Sequence, residues 1–347
     1  GGFTGSTKGN LLYLGGSIAS ESISNSGNVK LTNNATIITS AGIDNTAGIN
    51  SAAIIVQSIG GGGGASATSE GDTIRLGSIS TATSSGSLPT ITTGEVSVNN
   101  TGILSTSAVG SAGLLAQSIA GGGGYVSQTG DNQEYDISFG STGAINAKAG
   151  KVDLNNTGTQ IVTTANFSPA VVAQSIGGGG GFSLLTASGN GTTQIGSQSH
   201  SGSANAGDVS ISVNSLLQTI GEFSTALTAQ SIGGGGGYTG NSLGDAVFGA
   251  SNAIGSLNSG NVTSNLSGNV VTTGNNSSAL VVQTIAGGGG FGAEVVGNAT
   301  LGMTSLGQIT ANAGSVDFKG SGNQIVTQGS ESPAIVRQSI GGGGWWI

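Results

Sequence analysis

One segment returns six times along the 347 residues, and no other feature restricts the fold as strongly. It reads Ser51-Ala-Ala-Ile-Ile-Val-Gln57-Ser-Ile59-Gly60 followed by four more glycines, and it recurs at Ser111, Ser168, Ser224, Ser277 and Ser332. Its glutamines are Gln57, Gln117, Gln174, Gln230, Gln283 and Gln338, so the spacings by subtraction are 60, 57, 56, 53 and 55. A core segment is kept while some connection inside each unit changes length. Other landmarks keep step. An apolar-Gly pair recurs at Leu14, Leu76, Phe139, Ile195, Phe248 and Leu301. A Gly-x-Val recurs with its valine at Val29, Val96, Val152, Val209, Val262 and Val316, followed by period-two alternation such as Val152-Asp-Leu154. Such alternation marks a half-buried strand. A further short strand is expected around Ile37, Ile103, Ile161, Leu216, Val270 and Ile325.

Composition points the same way. Only 6% of residues are charged and 69 are glycine, while Val, Ile and Leu remain abundant, which separates the chain from disordered sequences. The predicted fold is all-β: a parallel β-helix, or β-solenoid, of six tandem repeats of about 56 residues. Residues 1–347 are expected to form one continuous solenoid, with units at 1–64, 65–124, 125–181, 182–237, 238–290 and 291–347. Coils of three short strands take roughly 18 to 22 residues, so three coils per unit and a body near ~85 to 90 Å long are expected. An antiparallel barrel or propeller is the rival, but no Asn-Gly or Asp-Gly turn recurs from unit to unit.

Net charge is −8, with the seven basic residues scattered from Lys8 to Arg337, so no nucleic-acid partner is expected. There is no cysteine, and no apolar run is long enough to span a bilayer as a helix. The opening Gly-Gly-Phe and closing Trp-Trp-Ile read as cuts within a longer chain, whose ends would be covered by neighbouring repeats or by self-association.

The candidate structural positions are Gln57, Gln117, Gln174, Gln230, Gln283 and Gln338, with Gly62, Gly123, Gly179, Gly235, Gly288 and Gly343 from the glycine runs. The runs hold their length and position, which favours an ordered backbone in close contact over a floppy loop. Each Gln is expected to point inward beside Ile55 and Ile59, with residue 56 facing out as Arg337 does in the last copy, and to bond the main chain of its glycine run. An aromatic usually follows the run: Phe3, Tyr125, Phe182, Tyr238, Phe291 and Trp345-Trp346. With three coils per unit these rings lie about 14 Å apart, unable to stack on one another, and each is expected to cover its own glycine segment rather than serve as a carbohydrate platform.

No catalytic, cofactor or metal site is expected. His200, the single histidine, sits among serines with nothing to mark an orienting carboxylate. Asp131, Glu134 and Asp136 form a grouping in one unit only, weak for Ca²⁺. Thr-x-Thr arrays of an ice-binding surface are not evident.

The motif Ala173-Gln-Ser-Ile176-Gly177, repeated at Ala229-Gln-Ser-Ile232-Gly233, resembles repeats in very large autotransporter-type passenger domains of Gram-negative bacteria. The resemblance covers essentially the whole chain. It implies export to the cell surface, a parallel β-helix shaft, and roles in adhesion, aggregation or surface coating with a host or matrix ligand. The chain carries no translocator barrel. The expected function is a non-catalytic shaft of an extracellular adhesin or fibre; the alternative is a carbohydrate-binding or carbohydrate-cleaving solenoid.

Overall fold

The computed structural model describes residues 2–8, 11–40, 51–70, 73–82, 87–126, 136–183, 191–242, 244–295, 297–342 and 344–346. Among them there is no helix, and every strand pairing is parallel. The chain visits six sheets in turn and then returns to the first. The unit that begins at Gly180 illustrates the path: Gly180–Ser183 in the first sheet, Thr192–Ile195 in the second, Gln198–Asn205 in the third, Val209–Val213 in the fourth, Leu216–Thr219 in the fifth and Leu227–Ile232 in the sixth. The first sheet has seven strands; the second, fourth, fifth and sixth have six each.

Each repeat is therefore one rung, not three. Gln57, Gln117, Gln174, Gln230, Gln283 and Gln338 are direct cross-strand neighbours in the sixth sheet. The seven-stranded sheet is about 29 Å long at ~4.8 Å per strand, which replaces the expected ~85 to 90 Å. The reason lies in the sixth strand. A simple three-sided coil has all its strands on the outside. Here the sixth strand runs inside the coil, so one turn consumes a whole unit. In the four inner rungs all six of its residues are buried.

The two faces of the sixth sheet divide the interior. Ile54, Val56, Leu114, Ala116, Val171 and Ala173 face the main core, with Val152 and Leu154 of the fourth sheet and Ile161 of the fifth. Leu115, Val172 and Val281 face the opposite way, against the aromatics of the first sheet, and Ile119, Ile176, Ile232 and Ile285 form a separate aliphatic column. Residue 56 thus looks inward, contrary to expectation. Arg337 takes this position in the sixth copy, where it is exposed and its guanidinium donates to the Val316 carbonyl.

The landmarks align. The six valines of Gly-x-Val pair across the fourth sheet, and the apolar-Gly residues pair across the second. In the fifth sheet the aligned residues are Ile37, Leu104, Ile161, Leu217, Val270 and Ile325. Ile103 and Leu216 are each one residue off, and in a strand that places them on the outer face. The longest unit gains its extra length between Leu76 and Val96, 20 residues apart where the equivalent pairs are 13 to 15 apart, and the rest of the drift arises mainly between the first and second sheets. One such connection runs from Lys8 to Leu11, another from Val126 to Asp136.

Candidate functional site

The most heavily built region is the seam between the sixth sheet and the first. Along it the glutamines form a continuous ladder. Gln57 Nε2 donates to Gln117 Oε1 at 2.7 Å, Gln117 to Gln174 at 2.7 Å, Gln174 to Gln230 at 2.8 Å, Gln230 to Gln283 at 2.8 Å and Gln283 to Gln338 at 2.6 Å. The four inner glutamines have no solvent exposure. The expected Gln-to-glycine bonding is corrected: with one rung per unit, the next Gln lies one strand spacing away and each amide supplies both a donor and an acceptor.

Main-chain anchoring falls to the next residue. Ser175 Oγ donates to Gly150 O at 2.8 Å and accepts from Gly207 N at 2.8 Å. Ser118 and Ser231 do the same for Gly94 with Gly150, and for Gly207 with Gly260. The hydroxyl thus ties the Gly-x-Val turns of two successive rungs to the central strand. The serine that opens each segment makes another column: Ser111 N donates to Ser168 Oγ, Ser168 N to Ser224 Oγ and Ser224 N to Ser277 Oγ, each at 3.0 Å.

The glycine runs are ordered. Gly178 N donates to Gly233 O at 2.8 Å, and Gly180 N donates to Gly122 O at 3.0 Å, so one run bonds the rungs on both sides of it. Gly62, Gly179, Gly235 and Gly288 share one column, with φ from 92° to 102°. Gly122 (φ 87°) takes the equivalent place in the second run, and Gly123 sits one position further on. Gly343 lies outside the described residues. The column abuts the glycine of the apolar-Gly pair: a Cβ on Gly179 would sit 2.6 Å from Gly140 Cα. At Gly180, φ is 145° and a Cβ would fall 1.9 Å from Gly236 O. Only glycine combines that backbone geometry with so close a neighbour.

The aromatics that follow the runs do stack, because they too are one rung apart. Ring centroids are 5.5 Å apart for Tyr125–Phe182, 4.6 Å for Phe182–Tyr238 and 5.3 Å for Tyr238–Phe291. All four rings are buried, so they form a core and not an open platform. Tyr125 and Tyr238 donate from their hydroxyls to the Gly110 and Phe223 carbonyls at 2.7 and 2.8 Å. Burial pushes the Tyr238 phenol well above its ordinary pKa. Trp346 pairs with Phe291 through its backbone.

Sequence reasoning missed three columns. Thr39, Thr106, Thr163, Thr219, Thr272 and Thr327 align in the fifth sheet, but the four inner ones are buried and present no surface array. Asn33, Asn100 and Asn156 form a short buried amide ladder at 2.7 and 2.6 Å, which Val213 ends in the next rung. A left-handed turn position holds Gly110, Phe167, Phe223, Asn276 and Glu331, with φ of 74°, 55°, 54°, 52° and 53°. The invariable α-left geometry beside a changing side chain gave no motif to find.

The grouping at Asp131, Glu134 and Asp136 falls largely outside the described residues; Asp136 Oδ1 accepts from Thr192 N at 3.0 Å. His200 lies within the strand Gln198–Asn205. Among the described residues, no three His, Cys, Asp or Glu side chains form a metal-binding group. Comparison of the chain with protein-family models, with curated proteins and with solved structures gives no match.

Proposed function

We propose that this chain is a non-catalytic shaft segment of an extracellular bacterial adhesin or fibre. The observation that carries the reading is uniformity. The same residue types occupy the same columns in rung after rung: Gln, the anchoring Ser or Thr, the inward Thr and the aromatic. A catalytic centre sets one place apart from the rest, with converging groups of shifted acidity. A shaft repeats one solution to burial and hydrogen bonding, since each layer completes its neighbours. The location rests on the resemblance of the Ala-Gln-Ser-Ile-Gly repeat to autotransporter-type passengers.

The test is a series of unit deletions in the cell-borne protein, each removing one interior repeat from one glycine run to the next. The variants are compared for display on intact cells, attachment, and turnover or binding of a polysaccharide panel. The shaft reading expects every interior deletion to have the same small effect and none to remove an enzymatic activity. One indispensable unit, or saturable polysaccharide cleavage, defeats it.

A further inference from the structure

The outer faces of adjacent sheets differ sharply in charge. Outward positions of the fourth sheet and its leading turn carry Lys30, Glu95, Lys151, Asp153, Asp317 and Lys319, with ion pairs Lys151–Asp153 at 3.0 Å and Lys151–Glu95 at 3.7 Å. The outward positions of the fifth sheet, and the residues just before and after each of its strands, carry no charge in any rung. They carry aliphatic side chains instead. Ile38 is 70% exposed, Ile220 44% and Val326 36%, and Val162, Leu216 and Val271 are half-buried among them. Asn, Gln, Ser and Thr fill the rest. Parallel pairing keeps Ile38, Val162, Val271 and Val326 in one column along the axis, with Ser105 and Gln218 between.

We propose that this face is a lateral docking surface for a second copy of the chain. Two observations select that partner. The chain carries −8 overall, so two copies repel, and contact costs least through a face that carries no charge of its own, as the fifth sheet's does. A second solenoid also has side-chain columns repeating at ~4.8 Å, so aliphatic rows can interleave in any whole-rung register. Size sets the strength. Six rungs of about five residues each give a footprint of roughly 400 to 500 Å² per copy, about half of the ~800 Å² per partner in a standard stable interface. Pairing is therefore weak and transient for six rungs and strengthens with every rung added in a longer array. The proposal deepens the shaft reading by naming the shaft's neighbour.

The absence of cysteine makes a clean experiment. Val162→Cys places a thiol mid-face, and Ser210→Cys places one on the charged face one rung away. Disulfide dimer formation by the full chain is measured under a mild oxidant, each rate divided by that variant's rate of labelling with a small maleimide. Pairing through the fifth sheet makes Val162→Cys cross-link about tenfold faster than Ser210→Cys, because docking raises the local thiol concentration. Adding Val271→Lys to Val162→Cys returns the rate to that of the control. Equal normalised rates on the two faces, or a Val162→Cys rate untouched by Val271→Lys, overturns the proposal. Either result leaves the shaft reading standing, which is judged by the unit deletions.

Discussion

Replacing one glutamine should harm this protein more than replacing the whole column. Gln174 donates to Gln230 and accepts from Gln117, and all three are fully buried. Gln174→Leu removes both bonds and leaves a stranded donor on Gln117 and a stranded acceptor on Gln230. A buried polar group without a partner costs roughly 1 to 3 kcal/mol, so two cost about 2 to 6 kcal/mol before the gain from the apolar side chain is counted. That gain is about 1.5 to 3 kcal/mol for a buried aliphatic, which leaves a net loss of roughly 0.5 to 3 kcal/mol. Replacing all six with methionine, similar in length and flexible enough to fit, strands no amide at all. Swapping both partners of a hydrogen bond for apolar groups is close to neutral. The assay is guanidinium unfolding followed by far-ultraviolet circular dichroism, comparing wild type, Gln174→Leu and the six-fold methionine variant. Gln174→Leu should be the least stable of the three. If loss of stability instead grows with the number of glutamines replaced, the column is not acting as a ladder and the reasoning fails.

Three further outcomes follow from the same geometry. Gly180→Ala, with a Cβ 1.9 Å from Gly236 O at φ 145°, should lower stability by more than ~4 kcal/mol or prevent folding, while Gly16→Ala, with no atom within 4 Å of its Cβ, should leave the melting temperature nearly unchanged. Ser175→Ala should cost about 1 to 3 kcal/mol in denaturant unfolding, since it strips a partner from Gly207 N and Gly150 O together, and Ser175→Thr should recover much of the loss, as Thr284 holds Gly314 O in another rung at 2.8 Å. The Tyr238 phenol is raised above its unfolded value of about 10, so its neutral form favours the folded state below pH ~10 and that stabilisation drains away as alkali ionises the unfolded chain; stability should fall with rising pH there, and Tyr238→Phe should flatten the fall in a pH series of unfolding curves.

The repeat made the strands and their order legible, and the inward valines of Gly-x-Val were readable because one face of that sheet is wet. Rung size was not, although two signals bore on it. The Ile54-Ile-Val56 run lacks alternation, as a strand buried on both faces does. Nor does any sub-period near a third of the unit occur, though three similar coils would produce one. Rung size decides the glutamine partners and the ring stacking as well, since both turn on whether equivalent residues are one strand spacing apart or three. Ile103 and Leu216 failed for a different reason: two adjacent aliphatics, Ile103-Leu104 and Leu216-Leu217, leave the register open by one, and the neighbouring strands decide it.

That one repeat closes one turn also fixes how such a protein can change in length. Unequal exchange between two copies of the coding repeat adds or removes a complete layer, and the layers on either side meet the same columns they met before. A variant with one more unit is longer by about 4.8 Å and needs no compensating change. An exchange out of phase within a strand instead puts that strand out of register in the rung at the junction and turns its core side chains outward, whereas an offset in a connection is absorbed there, as the spacings from 53 to 60 show. Length in this architecture is a whole number, and it can vary between descendants without passing through misfolded intermediates.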